Sequence, residues 1–220
     1  MRKTKIICTI GPASESEAVF TQMCKAGLNV ARLNFSHGSH EEHLKRIRTI
    51  RKVREELKLP IPIMLDTKGP EYRIGVFKDH RVTLADGQDF TFTTEDIEGD
   101  ETRVSVSYKG FAKDLRKGDR VLVNNGLVVC TVKEINGNDV LCRVDIGGEL
   151  SDRKSMNFPG RLMSNAFLSE QDKKDLLFGI EQDVDYVAAS FMSTKEDALE
   201  MRNFLDENGG LDSDITAKIE

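Results

Sequence analysis

No stretch of the sequence approaches the roughly 18 consecutive apolar residues that a membrane-crossing helix needs, so a membrane partner is not expected. No cysteine pair stands in Cys-x-x-Cys spacing. Cys8, Cys24, Cys130 and Cys142 are dispersed, which indicates neither a zinc ribbon nor a disulfide framework. Each is expected to be a buried thiol in a reducing compartment. Positive charge is not in excess: Lys and Arg number 32 against 37 Asp and Glu, a formal net charge of −5. A nucleic-acid binder usually carries a net basic face, so that partner is not expected either. No secretory leader is read at the start. Met1-Arg2-Lys3-Thr4-Lys5 is basic and the next residues are apolar, but Gly11-Pro12 breaks the run too early. A cytoplasmic location is the expectation. Low-complexity tracts and short-period repeats are absent. Lys68-Gly69-Pro70 is no P-loop, because the Gly-x-x-x-x-Gly-Lys pattern is missing.

What is present is a chain of 220 residues, 31% charged and 39% apolar. That is one large domain or two small ones, too apolar and too balanced for disorder. Residues 5–10 read as a short strand closed by Gly11-Pro12. Ser14 and Glu17 fit a capping box. Val19, Phe20, Met23 and Cys24 then share a helical face that Gly27 ends. Residues 29–35 read as a second strand. Ser39 and Glu42 form another capping box, and Leu44, Ile47, Ile50, Val53 and Leu57 recur at helical spacing. The basic cluster Lys45, Arg46, Arg48, Arg51 and Lys52 is expected to be solvated. Pro60 ends this helix, and residues 61–65 read as a third strand. Such a β-α-β-α-β unit implies parallel strands with right-handed crossovers.

From Glu71 the texture changes. Short strands are expected at 81–84, 89–94, 102–107, 120–123, 127–134 and 140–145. Asp86-Gly87, Glu98-Gly99-Asp100, Asn125-Gly126 and Asn136-Gly137-Asn138 serve as turns. This reads as a small all-β sandwich or barrel closed by Pro159-Gly160. The α/β pattern then resumes. A helix spans 169–182, with Ser169 and Asp172 as its cap and Leu176, Leu177 and Ile180 on one face. A strand follows at 184–191, a capped helix at 193–207, and a last strand from 215. Five α/β strands fit an open sheet, or an eight-stranded barrel cut short. Ending just after a strand favours the barrel.

The polar residues share a position. Arg32, Asn34, Ser36 and His37 fall at the C-terminal end of the second strand, and Asp66, Thr67 and Lys68 at the end of the third. Ser190 ends the fourth, and Lys218 and Glu220 end the fifth. Parallel α/β barrels build their active sites there. Arg32 needs a carboxylate or a bound phosphate as partner. Asn34, Ser36, Asp66 and Thr67 offer only hard oxygen ligands, suited to a monovalent or hard divalent cation and not to zinc. Ordinary turn and capping work is the alternative. Lys218 and Glu220 share a strand face and suit a phosphoryl clamp plus a metal ligand, or else a solvent-facing ion pair. His37, His40 and His43 read as solvated helix-start residues, with a metal site as the alternative.

Several strings together resemble the N-terminal portion of the pyruvate kinase family. They are Lys3-Thr4-Lys5-Ile6-Ile7-Cys8-Thr9-Ile10-Gly11-Pro12-Ala13-Ser14, Asn29-Val30-Ala31-Arg32-Leu33-Asn34-Phe35-Ser36-His37-Gly38, and Leu65-Asp66-Thr67-Lys68-Gly69-Pro70-Glu71 with Arg73. Later come Phe178-Gly179-Ile180-Glu181-Gln182, Val187-Ala188-Ala189-Ser190-Phe191 and Lys218-Ile219-Glu220. The resemblance runs from end to end of the chain. It implies an α/β fold, a partial (β/α)8 TIM barrel of five strands with an inserted small all-β barrel lid. The barrel's first part would be 1–70, the lid 71–160 and the barrel's continuation 161–220.

The resemblance also implies residue roles. Arg32 and Arg73 would contact the phosphates of the nucleotide and the transferred phosphoryl group, and Lys154 in the lid would reach the nucleotide. Asn34, Ser36, Asp66 and Thr67 would hold K+, with Glu71 the residue type of potassium-dependent members. Lys218 would stabilise the phosphoryl group in transfer and the enolate, and Glu220 would ligate Mg2+. The implied reaction is phosphoryl transfer from phosphoenolpyruvate to ADP, giving pyruvate and ATP in glycolysis, by a homo-oligomer. The family's second magnesium carboxylate and a proton-delivering threonine lie beyond residue 220, so the isolated chain is expected to be inactive. Asn124-Asn125-Gly126 replaces the Asp-Asp-Gly of many members, and 161–168 is less typical than its surroundings. The alternative is a non-catalytic short paralogue that binds a phosphorylated ligand or a full-length partner.

Overall fold

The computed structural model describes residues 3–219. Along the chain run β1 (Ile7–Thr9), α1 (Glu17–Ala26), β2 (Val30–Asn34), α2 (His40–Leu57) and β3 (Ile63–Asp66). Next come β4 (Tyr72–Arg73), β5 (Arg81–Leu84), β6 (Asp89–Thr93), β7 (Arg103–Ser105), α3 (Phe111–Asp114), β8 (Arg120–Val123) and β9 (Val128–Asn136). Then follow β10 (Asp139–Ile146), β11 (Gly148–Ser151), β12 (Ser155–Asn157), α4 (Glu170–Glu181), β13 (Tyr186–Ala189), α5 (Lys195–Glu207) and β14 (Asp214–Ala217). The chain forms two compact units, one of residues 1–70 and 166–220 and one of residues 71–165.

The first unit is α/β. Its five strands lie in the order β1-β2-β3-β13-β14, and every pairing is parallel. Strand order follows chain order with no reversal, unlike a doubly wound sheet. Right-handed crossovers between such neighbours keep the helices on one face, and the sheet curls as a barrel does. The central strand β3 is buried at every residue, as a strand covered on both sides must be. The core joins Leu33, Ile63, Leu65 and Val187 of the strands to Phe20, Ile47, Ile50, Met201 and Leu205 of the helices. Gly179 lets α4 approach this sheet, since a Cβ there would stand 2.6 Å from Leu65 Cδ1.

Three of the four long helices carry a full capping box: Ser39 with Glu42, Ser169 with Asp172, and Thr194 with Asp197. The expected box at Ser14 is not formed. The cap of α1 is Ser16, whose Oγ accepts from Val19 N, while Ser14 Oγ accepts from Gly11 N at 3.0 Å and holds the preceding turn. Helix α2 ends at Leu57 with Lys58 left-handed at φ 52°, before Pro60 is reached. The basic face of α2 is not uniformly solvated. Arg46 is buried and its Nε donates to Glu15 Oε2 at 2.7 Å, and Arg51 reaches the Gln182 carbonyl. On α4 the buried face is Asp172, Asp175, Leu176 and Gly179, and Leu177 is exposed.

The second unit is mainly β-sheet. Seven strands lie in the order β4-β12-β8-β9-β10-β6-β7, and β5 pairs separately with β11. All pairings are antiparallel except β6 with β7. Short β4, β11 and β12, and the single turn of helix α3, were not legible in the residue pattern. Two to four residues are too few to show a period. The core is built on Phe77, Phe90, Phe92 and Phe111 with Val104, Val121, Cys130, Val140 and Cys142. Asn124, Asn125 and Gly126 all hold positive φ between β8 and β9, a backbone that Asn and Gly tolerate better than other residues. The chain returns to the first unit at Ala166, beyond the Pro159-Gly160 turn.

Candidate active site

The parallel register of the first unit brings strand ends into line. Asn34 pairs with Asp66, Asp66 with Ala188, and Ala189 with Ala217. Side chains far apart in sequence therefore meet at the C-terminal edge of the sheet. Their centre is Asp66, whose side chain is 1% exposed. Arg32 Nε donates to Asp66 Oδ2 at 2.7 Å, and Arg32 Nη2 donates to the same oxygen. Lys218 Nζ donates to Asp66 Oδ1 at 2.8 Å and to Ser190 Oγ at 2.7 Å. Arg32 Nη1 reaches Thr9 Oγ1 at 2.5 Å.

Burying a lone carboxylate is costly unless it is paired, and two cations on one anion more than satisfy it. Among the described residues, the Arg32–Asp66–Lys218 group brings two positive charges to one negative. Arg32 and Lys218 each keep 31% of their side chains exposed. The arrangement suits an incoming anion: a planar guanidinium for bidentate contact and a compact ammonium beside it.

The neighbouring oxygens are equally ordered. Asn34 Oδ1 accepts from Ser36 N at 3.0 Å. Ser190 Oγ donates to Thr67 O at 2.6 Å, and Ser190 N donates to Thr67 Oγ1 at 3.1 Å. Gly69 then turns the chain away with φ +64°, its N donating to Asp172 Oδ1 at 3.1 Å. A Cβ at Gly69 would stand 2.7 Å from Ser190 O, so the close passage requires glycine.

Of the residues singled out from sequence, the structure joins Arg32, Asp66 and Lys218 by direct contact, with Asn34, Ser36 and Thr67 on the same edge. Arg73 and Lys154 belong to the second unit. There Ser155 pairs with Arg73, Ile74 N donates to Lys154 O at 2.9 Å, and Arg73 contacts Glu71 and the Arg153 carbonyl. Glu220 lies outside the described residues. Sequence reasoning missed Thr9. Its hydroxyl faces the site only because β1 pairs with β2 in the register Thr9↔Arg32.

The histidines are neither a metal site nor solvated as a group. His43 is 1% exposed, its ring is stacked on Phe35 with centroids 4.0 Å apart, and its Nε2 meets the His37 carbonyl at 2.9 Å. A carbonyl only accepts, so Nε2 carries the proton, and burial pushes the His43 pKa down. His40 Nε2 is 2.6 Å from the buried carboxylate of Asp175. Among the described residues, no group of three or more His, Cys, Asp or Glu is placed to hold a metal ion. No described helix is long and apolar enough to cross a membrane.

Compared with known proteins, residues 1–220 match the family model of the pyruvate kinase barrel domain. The pyruvate kinase of Clostridium perfringens (strain 13 / Type A) is 45% identical over 221 residues, covering 100% of this chain and 47% of that protein. That of Clostridium acetobutylicum is 45% identical, with the same coverage. The pyruvate kinase of Staphylococcus haemolyticus (strain JCSC1435) is 46% identical over 222 residues, covering 100% of this chain and 38% of that protein. The chain thus spans about half the length, or less, of these curated relatives.

Proposed function

The chain belongs to the pyruvate kinase family by its barrel domain, and from that premise we propose that it supplies the phosphoryl-binding part of an enzyme transferring phosphate from phosphoenolpyruvate to ADP. The observation that carries this reading is the buried Asp66 with Arg32 and Lys218 on its two oxygens. Phosphoryl transfer asks little covalent chemistry of a protein, and catalysis rests on positioning and charge. Asp66 orients both cations without touching substrate. Arg32 binds phosphate oxygens. Lys218 donates to the transferring phosphoryl group and to the enolate oxygen left behind, where charge develops.

The oxygens of Asn34, Ser36, Asp66 and Thr67 fit a hard monovalent cation in donor chemistry, since none is nitrogen or sulfur. They would hold K+, which when bound adds positive charge beside the phosphoryl group. For Mg2+ the described residues offer no cluster of carboxylates. Its place rests on Glu220, and no step is derived through it.

Residues 1–70 and 161–220 would then be barrel, and 71–160 a lid, with 161–165 packed in the second unit. Arg73 and Lys154, side by side on β4 and next to β12, would meet the nucleotide phosphates. Closure of a lid excludes water. Homo-oligomeric assembly, a cytoplasmic location and a place in glycolysis belong to the same reading. Residues 1–220 alone are expected to give no turnover.

The test is a coupled assay for pyruvate on the full-length product of the reading frame that encodes these residues, with Mg2+ and K+. Activity lost in Lys218→Met and Arg32→Met supports the reading. A wild type that makes no pyruvate from phosphoenolpyruvate and ADP overturns it.

A further inference from the structure

The proposed reaction gives no task to His43, which is buried in the first turn of α2. Its two ring nitrogens fare differently. Nε2 donates to the His37 carbonyl at 2.9 Å. Nδ1 is buried and, among the described residues, has no hydrogen-bond partner. A buried acceptor left unmet lowers stability. The ring stacks on Phe35, and for that packing alone an apolar side chain would serve without an unmet nitrogen. What histidine adds is one N–H aimed at one carbonyl.

That carbonyl belongs to the turn that follows β2. The same turn carries Ser36 and starts from Asn34, whose oxygens would hold K+. Within it Ser36 N donates to Asn34 Oδ1 at 3.0 Å, and His37 N donates to Asn34 O at 3.4 Å. Phe35 is buried, while His37, Gly38 and Ser39 are exposed. Gly38 passes close to α2 with φ +88°, and a Cβ there would stand 3.4 Å from His43 Nε2. His43 therefore holds the turn twice, at Phe35 by stacking and at His37 by the Nε2 bond. An exposed turn with few bonds of its own would otherwise open readily. Ordering it would then weaken the binding of any ligand it serves.

We propose that His43 is a positioning residue, keeping the turn from Asn34 to Ser36 ordered for the monovalent cation while its own Nδ1 stays unmet. This rests on the phosphotransferase reading and deepens it. In the full-length product, His43→Phe keeps a ring on Phe35 and removes the donor. The K+ concentration that half-saturates activity is expected to rise about tenfold, the size of one net hydrogen bond. At saturating K+, kcat stays within about threefold, because the loss falls on ordering the turn and not on the transition state. The urea midpoint is unchanged or higher, since the unmet nitrogen is gone. Hydrogen exchange over residues 34–39 quickens while exchange over 47–53 of α2 does not. His43→Gln can place an amide N–H where Nε2–H stood, and it restores both K+ half-saturation and exchange to within about threefold of wild type.

A urea midpoint that falls in both His43→Phe and His43→Leu assigns the ring to folding and overturns the proposal. So does an active wild type indifferent to K+. So does a His43→Phe variant with K+ half-saturation or exchange over 34–39 unmoved, or a His43→Gln variant that fails to restore them. If the wild type makes no pyruvate, the phosphotransferase reading fails separately, and exchange alone decides. Faster exchange over 34–39 in His43→Phe, restored in His43→Gln, upholds the hold on the turn, and unchanged exchange overturns it.

Discussion

Among the described residues, the polar side chains buried in the first unit are His43, Arg46, Asp66, Thr67, Asp172, Asp175, Ser190 and Ser213, and those in the second are Thr93 and Thr94. The second unit buries phenylalanines, valines and two thiols instead. Burial pushes the Cys130 pKa up to about 12 and raises that of Cys142 as well. Both units fold around an apolar centre, but only the first accepts the cost of desolvating charge. The buried carboxylates there are each held by named partners: Asp66 by Arg32 and Lys218, Asp175 by His40 and Gln171, Asp172 by Ser169 and Gly69. Desolvated charge that is already oriented suits a catalytic edge, since no reorganisation is needed when charge develops.

The contrast can be broken most directly at Asp66. Asp66→Ala leaves Arg32 and Lys218 facing each other without their carboxylate, and should cost about 3–5 kcal/mol by denaturant unfolding. In the full-length product, and on the phosphotransferase reading, Asp66→Asn keeps the shape and is expected to lower kcat roughly a thousandfold. A stable, active Asp66→Ala would show that the charge pairing is incidental. In the second unit, Phe92→Ala removes a fully buried ring packed edge-on against Phe90 and should cost ~3 kcal/mol. Hydrogen exchange on amides of β6, β9 and β10 reads that loss. A change below about 1 kcal/mol would mean the aromatic core is redundant.

A smaller effect is expected at Asp175→Asn, which weakens the contact with His40 between α2 and α4. It should cost about 1–3 kcal/mol, and an unchanged urea midpoint would remove that contact from the account. The smallest is a pH effect. The folded pKa of His43 is depressed below the ordinary 6.5, chiefly by desolvation, with Arg46 and His40 adding to the fall and the His37 carbonyl and Asp175 opposing it. A depressed folded value means stability is intact above pH 6.5 and is lost as pH falls through the folded value. The urea midpoint of the first unit should therefore drop on acidification below that point, and His43→Gln should flatten the drop. An equally steep drop in the variant would assign the titration elsewhere.

Local pattern carried much of this in the sequence. The capping boxes at Ser39 and Ser169 form as spacing indicates, and Ile47, Ile50 and Val53 face the core. Strands β5, β6, β8, β9 and β10 of the second unit stand near their expected places. Failures occurred where a tertiary partner outweighed local preference. Arg46 looks solvated by composition but is drawn inward by Glu15. Leu177 looks apolar by type, but helix rotation gives the buried positions to Asp172 and Asp175, each with a partner waiting. His43 gave no sign of burial, because its stacking partner Phe35 lies outside its helix, in the turn just past β2.

The sequence by itself determined the parallel α/β frame, the β-rich segment that interrupts it, the family, and the placing of polar residues at strand ends. Those features come from periodicity, turn residues and short strings, all read within a few neighbours. Only the tertiary structure decided who meets whom. Arg32 and Asp66 are 34 residues apart and Lys218 and Asp66 are 152 apart. Thr9 and Ser190 reach the cluster through strand register alone. A contact across such distances depends on which strands pair and in what alignment, and no local window of sequence carries that information.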